Sequence, residues 1–226
     1  MAGWRDRLNG TSLYWLSQIT RKSGRFQVSG LNNLKQAQES GRPLIFATWH
    51  GFTMMLVAFF ADHYDVNRIV LLMPDDWRGA ALEIFARKVG AEPYPMDLTG
   101  EGGMASARKL THLIRRVREG FDCYITPDGP DGPAYVIKPG ITYIARKAKA
   151  LIVPLGAYAR HAYRLPRWDR YVVPLPFSRI SVTIGEPIET PDKGKETAVT
   201  EHLTNVLHRM AAQAAANYYE QPGVTN

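Results

Sequence analysis

The sequence predicts an α/β domain in which helices flank a mainly parallel central sheet, and two observations carry this prediction. Short apolar runs that suit buried strands alternate along the chain with longer segments whose apolar residues recur at helical spacing. The chain has 226 residues, of which 45% are hydrophobic and 22% charged, a composition typical of globular proteins. This length fits a single domain over residues 1–226 and is too short for two domains of ordinary size.

The elements of this alternation can be placed in order along the chain. Short apolar runs followed by polar or glycine-rich turns predict strands at residues 44–48, 69–73, 122–126, 151–157 and 180–184. Apolar residues three and four apart predict helices at residues 52–61, 79–89, 103–119, 141–149 and 197–218. Prolines make residues 165–177 too irregular for a helix and predict an ordered loop over one face of the domain.

Residues 1–22 are predicted to form an N-terminal amphipathic helix. Four apolar side chains would fall within about 60° of one another on it, namely Trp4, Leu8, Trp15 and Ile19. Arginines outside this stripe suit a helix that lies in a membrane interface, and packing on the domain's own core explains the stripe equally well. The sequence Asn-Gly-Thr-Ser at residues 9–12 could break the helix, with Ser12 capping a shorter one.

The net charge of +7 and the isoelectric point near 9.5 favour an acidic partner, either nucleic acid or an anionic membrane surface. The chain has no block of Lys and Arg like the basic arms that bind nucleic acid, and no recognisable nucleic-acid motif. We therefore expect an anionic membrane surface as partner and no nucleic acid.

Targeting signals and apolar run lengths predict where the protein resides. No secretory signal is recognisable at the N-terminus. The longest apolar run, Met54–Ala61, has eight residues, whereas a membrane-spanning helix needs about 20. The sequence thus predicts a cytoplasmic protein that is peripheral on the inner face of the cell membrane.

Cysteine and histidine usage bears on disulfides and metals. The single cysteine, Cys123, excludes an internal disulfide and lies in an apolar strand, where a buried and inert thiol is expected. The six histidines include no pair with ligand spacing and a third ligand, so no metal site is predicted.

Residues 126–133 read Thr-Pro-Asp-Gly-Pro-Asp-Gly-Pro and directly follow a predicted strand. Proline fixes φ and glycine permits positive φ, so this segment is predicted to be a rigid, exposed turn that presents Asp128 and Asp131. In open α/β sheets, ligands bind at the carboxyl ends of strands. A plain surface turn is the alternative, because Pro-Asp-Gly is a common turn sequence.

His50 is the candidate catalytic residue because it follows the strand at residues 44–48 and precedes a helix. A histidine at such a junction can accept a proton at physiological pH, although a partly buried structural histidine is the alternative. The chain contains no Gly-x-Ser-x-Gly nucleophile elbow and no phosphate-binding loop that ends in Gly-Lys-Ser/Thr. The glycine-rich residues 100–103 open a predicted helix and could hold an anion on their amides.

Several short motifs occur together in a fixed order. They are Trp49-His50-Gly51, the turn at residues 126–133, Lys138-Pro139-Gly140, Ile152-Val153-Pro154, Trp168-Asp169-Arg170 and Gly185-Glu186-Pro187. In this order the chain resembles bacterial lysophospholipid acyltransferase-like proteins of the glycerolipid acyltransferase superfamily, over about residues 28–187. The resemblance implies transfer of a fatty acyl group from a carrier thioester, acyl-CoA or an acyl-carrier protein, to a hydroxyl of a lysophospholipid or related lipid acceptor. It implies no bound cofactor.

The resemblance also implies residue roles. His50 matches the histidine that acts as general base, while the acid that usually stands five positions later is replaced by Met55, which makes Asp75 and Asp76 the nearest candidate partners. A Pro-Glu-Gly block that helps bind the acceptor corresponds to residues 127–129, with Asp128 in place of the glutamate. The implied substrate-binding residues are Trp49, Asp128, Gly129, Pro130 and Lys138.

A third block of the superfamily, Arg-Gly-Ser, holds the phosphate of the acceptor. Here it appears as Met-Asp-Leu at residues 96–98, so its arginine is missing. Arg78, Arg108 and Lys138 are possible substitutes.

Two other functions remain open. A relative that binds lipid or a protein partner without catalysis is favoured by Met55 and Met96, which stand where the family has its acid and its arginine. A phosphate-handling hydrolase would use Asp128 and Asp131 with a divalent ion.

Overall fold

A seven-stranded sheet forms the centre of the computed structural model, which describes residues 3–97, 103–191 and 196–220. The strands of this sheet are β1 (Arg25–Ser29), β2 (Leu44–Ala47), β3 (Ile69–Pro74), β4 (Glu92–Met96), β5 (Asp122–Ile125), β6 (Leu151–Tyr158) and β9 (Arg179–Ile184). Their order across the sheet is β1-β9-β6-β2-β5-β3-β4. The five strands from β6 to β4 run parallel, and β9 and β1 run antiparallel to them at one edge. The predicted mainly parallel α/β fold is confirmed.

Helices cover both faces of this sheet. They are α1 (Trp4–Ser23), α2 (Leu31–Glu39), α3 (Thr53–His63), α4 (Gly79–Val89), α5 (Gly103–Arg118), α6 (Gly140–Ala148) and α7 (Glu196–Tyr219). Side chains of α2 and α3 pack on one face of the sheet, and side chains of α5, α6 and α7 pack on the other. Within the described ranges, no helix is both long and apolar enough to cross a membrane.

The predicted strands and helices are present with ends shifted by one or two residues, whereas β1, α2 and β4 were missed. The sequence of β4, Glu-Pro-Tyr-Pro-Met, was missed because proline interrupts a ladder. The structure tolerates both prolines because β4 lies at the edge of the sheet and has one neighbour, β3. The segment predicted as a loop at residues 165–177 contains β8 (Val172–Pro174), which pairs with β7 (Ala162–Arg164) in a two-stranded hairpin.

Helix α1 runs unbroken from Trp4 to Ser23, so the possible break at residues 9–12 does not occur. Gly10 instead allows close packing on α4, since a Cβ atom there would lie 2.5 Å from the carbonyl oxygen of Ala81. The buried face of α1 consists of Gly10, Ser17, Gln18 and Thr20. The apolar stripe points away from the core, with exposed fractions of 70% for Trp4, 57% for Leu8, 58% for Trp15 and 47% for Ile19. Packing of this stripe on the domain's own core is therefore wrong.

The parallel strands bring separate loops to one edge of the sheet. Strands β2 and β5 are neighbours and end at Ala47 and Ile125. The segments that follow them, Thr48–Phe52 and residues 126–139, therefore leave the sheet side by side at its carboxyl edge. This places His50 next to the Pro-Asp-Gly turn.

Candidate active site

His50 begins a short 3₁₀ turn between β2 and α3. The backbone N–H of Thr48 donates to the carbonyl of Ile125, at 3.4 Å, and keeps the start of the turn attached to β5. Trp49 is extended, and the chain then turns sharply at His50. The His50 side chain remains 22% exposed, so its ring can be reached from solvent.

A carboxylate holds the His50 ring. The Nδ1 atom of His50 lies 2.6 Å from Oδ2 of Asp169, whose side chain is 1% exposed. Burial works to raise the pKa of Asp169, but the hydrogen bond and charge of His50 and the charge of Arg167 outweigh burial, so this pKa lies below its usual range. When the His50 ring is neutral, an ionised Asp169 can accept the Nδ1 proton, and Nε2 then carries the lone pair that can accept a proton.

The acid partner predicted from sequence proximity is wrong. The carboxylate of Asp75 pairs with Nζ of Lys109 at 2.7 Å, and Asp76 pairs with Arg78. Asp169 lies 119 residues after His50, beyond any fixed spacing. Its only signal in the sequence is the Trp168-Asp169-Arg170 motif, which by itself indicates no chemical role.

The segment that carries Asp169 fits closely over His50. A Cβ atom on Gly51 would lie 2.5 Å from the carbonyl oxygen of Asp169, and one on Gly132 would lie 2.7 Å from the Trp168 ring. The rings of Trp168 and Tyr171 lie with their centres 5.4 and 5.7 Å from the His50 ring. Two glycines from separate loops thus leave the space that this segment needs to reach the histidine.

Asp128 accepts hydrogen bonds from the backbone around His50. Its Oδ1 accepts a hydrogen bond from the N–H of His50 at 3.0 Å, and its Oδ2 accepts one from the N–H of Tyr135 at 3.4 Å. The residue is buried, and burial raises the pKa of its carboxyl above the usual range despite these hydrogen bonds. The prediction that Asp128 is presented on an exposed turn is therefore wrong.

Asp131 is the exposed aspartate of the turn, with 57% of its side chain accessible. It pairs with Nη1 of Arg78 at 2.6 Å, and this pair holds the pKa of Asp131 below its usual range. Arg78 also pairs with Asp76, so the first candidate for the missing phosphate-binding arginine is already neutralised by two carboxylates. Arg108 lies on α5, and the backbone N–H of Lys138 donates to the carbonyl of Pro127 at 2.9 Å.

Another cation lies beside the histidine–aspartate pair. Nε of Arg167 is 3.4 Å from Oδ1 of Asp169, the oxygen that does not face His50. Its guanidinium also lies over the ring of Tyr171, 5.7 Å from the centre. Sequence reasoning did not select Arg167, because nothing in its local pattern connects it to His50.

Trp49 packs in the core cluster between the sheet and helices α5, α6 and α7. It is 1% exposed, with its ring centre 5.4 Å from that of Tyr135 and 5.2 Å from that of His208. Gly129 is buried in the turn, where its N–H donates to the carbonyl of Thr126 at 3.0 Å, and Pro130 is half-buried. Among these residues, Pro130 and the half-buried Lys138 have side chains that solvent reaches.

The structure also bears on the thiol and on metal binding. Cys123 is buried, as predicted, and burial raises the pKa of its thiol. In the described part of the chain, no three His, Cys, Asp or Glu side chains group as metal ligands would. Asp128 and Asp131 bind different partners, which removes the basis for the divalent-ion hydrolase.

Comparisons with known proteins agree with this architecture. No protein-family model matches the chain. An uncharacterized protein of Rickettsia prowazekii (strain Madrid E) is 28% identical over 179 residues, which is 78% of each chain. The crystal structure of PlsC, the 1-acyl-sn-glycerophosphate (LPA) acyltransferase of Thermotoga maritima, superposes with a TM-score of 0.58 at 14% identity, over 92% of this chain and 82% of that one. The chain thus has the fold of this acyltransferase, and at such low identity the likeness shows the fold alone.

Proposed function

We propose that the protein is an O-acyltransferase that moves a fatty acyl group from acyl-CoA or an acyl-carrier protein to a hydroxyl of a lysophospholipid or related lipid acceptor. The observation that carries the proposal is the His50–Asp169 pair at the carboxyl edge of the sheet. It supplies a base oriented by a buried carboxylate, in a fold shared with a known acyltransferase. Fold alone would not support an activity, because one fold hosts many functions.

The proposed reaction uses Nε2 of His50 as general base. Nε2 takes the proton of the acceptor hydroxyl as its oxygen attacks the thioester carbonyl, and Asp169 stabilises the imidazolium that forms. The C–O bond forms, the C–S bond breaks, and His50 returns the proton to the departing thiolate. General-base assistance of this kind contributes about 10²–10⁴-fold to the rate.

The proposed supporting residues fall into two groups. Trp49 and Asp128 hold the turn of His50 and act as positioning residues, because both are buried behind it. Gly129, Pro130 and Lys138 are proposed to form the acceptor side of the site on the neighbouring loop. Arg167 is the cation that we propose for the negative charge of the acceptor or of the oxyanion, since it lies beside the His50–Asp169 pair and its side chain is 44% exposed.

The non-catalytic alternative loses one of its two supports. It was favoured partly by Met55, which stands where the family has its acid, but Asp169 occupies that role from another loop. The missing arginine at Met96 still favours it. Such a protein would bind lipid and yield no acylated product.

The test is acyl transfer by the purified protein. Acyl-CoA or acylated carrier protein is incubated with lysophospholipids that differ in head group, and acylated product is measured by mass spectrometry. We expect His50→Ala to abolish product formation and Asp169→Asn to lower kcat by about 10³–10⁴-fold, because the wrong tautomer of His50 is then favoured. Both variants should unfold at the wild-type temperature within a few degrees. Wild-type turnover in His50→Ala would reject the mechanism, and lipid binding without product would favour the alternative.

We also propose that the protein acts in the cytoplasm, peripherally on the inner face of the cell membrane. The exposed apolar stripe of α1 supports this, because Trp4, Leu8, Trp15 and Ile19 are each 47% or more exposed. Salt-sensitive binding to anionic vesicles would support the proposal, and its absence would count against it.

A further inference from the structure

Residues 159–179 run from the end of β6 to the first residue of β9 and contain the β7–β8 hairpin; we call them the basic hairpin segment. Its 21 residues include five arginines, no lysine and no glutamate, and Asp169 is its only carboxylate. Since Asp169 is buried against His50, the accessible surface of the segment carries positive charge without a compensating negative one. This segment holds a net +4 of the chain's +7.

Most of these arginines lack a carboxylate partner among the described residues. Within the described ranges, four of them form no ion pair with a carboxylate, namely Arg160, Arg164, Arg170 and Arg179. Arg164 donates to the carbonyl of Ala159 at 3.0 Å, and Arg179 lies over the ring of Tyr218. Charge of one sign that no carboxylate compensates attracts an oppositely charged surface.

Large apolar side chains project from the same segment. The exposed fraction is 57% for Tyr163, 52% for Leu175 and 74% for Phe177. Arginines interleaved with exposed aromatic and aliphatic side chains are typical of surfaces that bind at a lipid interface, where the ring enters the head-group region and the cation meets phosphate.

The backbone at Phe177 adds an independent observation. The N–H of Ser178 donates to the carbonyl of Leu175 at 3.2 Å, with Pro176 and Phe177 between them, and Phe177 has φ +64°. A proline at the second position and a positive φ at the third position define a type II turn. The third position of such a turn favours glycine. A bulky residue there is strained, and exposed Phe177 gains little core packing in return. A strained residue that does not serve the fold indicates a function outside it.

We propose that the basic hairpin segment docks on an anionic lipid bilayer, with its arginines at the phosphates and with Tyr163, Leu175 and Phe177 in the head-group interface. The segment also carries Asp169, so docking places the His50–Asp169 pair directly at the membrane surface. This deepens the proposed function by naming the surface from which a lipid acceptor enters, and the docking itself does not depend on catalysis.

The experiment is sedimentation of the full chain with vesicles of phosphatidylcholine, with and without phosphatidylglycerol. We expect wild type to bind the anionic vesicles and to be released by salt. Arg160→Gln/Arg164→Gln should weaken binding by about 30-fold at low salt, from the loss of two surface cations. The matched control is Lys35→Gln/Arg87→Gln, which removes two positive charges outside the basic hairpin segment. These side chains are 73% and 69% exposed, and their loss should weaken binding much less.

Phe177→Gly separates docking from folding. Glycine suits the positive φ of this turn, so the variant should unfold at or above the wild-type temperature while binding anionic vesicles about tenfold more weakly. Wild-type binding by Phe177→Gly, or no binding of anionic vesicles by the wild type, would overturn the proposal. Binding lost in Trp4→Ala/Trp15→Ala but kept in Phe177→Gly would also overturn it in favour of α1.

His50→Ala distinguishes this proposal from the acyl-transfer proposal. It should bind anionic vesicles like the wild type, because His50 lies outside the docking side chains. If acyl transfer is absent under all conditions while vesicle binding follows the variants as stated, the docking surface is supported and the enzymatic proposal fails.

Discussion

The two Pro-Asp-Gly units of residues 127–132 have the same sequence and opposite environments. Asp128 is buried and accepts hydrogen bonds from the backbone of His50 and Tyr135. Asp131 is 57% exposed at its side chain and pairs with the guanidinium of Arg78. Burial raises the pKa of the first carboxyl, and the arginine lowers the pKa of the second. One tripeptide thus serves two roles within six residues.

The difference follows from position relative to the sheet. Asp128 stands three residues after the end of β5, beneath the turn that leaves the neighbouring strand β2, so it meets unpaired backbone N–H groups. Asp131 lies three residues further along the chain, where it binds Arg78 in the loop after β3. The first unit therefore holds the backbone of His50. The second unit attaches the turn to the loop that follows β3.

The largest expected effect is on stability. Asp128→Ala leaves two backbone donors without their acceptor, and each unsatisfied buried group costs about 1–3 kcal/mol. We expect a loss of about 2–4 kcal/mol in the free energy of unfolding, against less than about 1 kcal/mol for Asp131→Ala. Urea unfolding of the two variants measures both values. Equal losses would show that the environments differ less than the geometry indicates.

The fold and one half of the His50–Asp169 pair could be predicted from the sequence. Strand and helix periodicity is local, so β2, β5, α4 and α5 could be placed from their own residues. His50 was found for the same reason, because its position after a strand can be read within a few residues. Elements with weak local patterns, such as the proline-containing edge strand β4, were missed.

The other half of the site depends on contacts that no local pattern encodes. Asp169 reaches His50 because the basic hairpin segment crosses over Gly51 and Gly132, and the sequence contains no spacing rule for that path. The burial of Asp128 was missed because Pro-Asp-Gly is usually a surface turn, and here another loop covers it. For α1, the sequence left two orientations open, and close packing at Gly10 decides that the tryptophans face outward.

The second expected effect is an opposite pH dependence for the two aspartates. The raised pKa of Asp128 stabilises the fold at low pH, and this contribution is lost as pH rises above the usual range of about 4 toward the raised value. The lowered pKa of Asp131 stabilises the fold above about 4, and this contribution is lost as pH falls below that range. Stability relative to Asp128→Asn should therefore fall with rising pH, and stability relative to Asp131→Asn should rise. Denaturant unfolding between pH 3 and 7 gives both slopes, and slopes of the same sign would contradict the assignment.

The smallest expected effect tests whether the outer unit acts only through charge. Arg78→Gln should cost less than about 1 kcal/mol, and adding Asp131→Asn should cost almost nothing more, because the two residues share one ion pair. The destabilisation should shrink in 1 M salt, where exposed pairs are screened, whereas that of Asp128→Ala should persist because its hydrogen bonds are buried. Arg116→Gln, which breaks the partly exposed pair with Glu92, is the matched control for a lost surface arginine. Additive losses in the double variant, or a salt-resistant effect at Arg78, would mean that Asp131 stabilises the turn through more than its ion pair with Arg78.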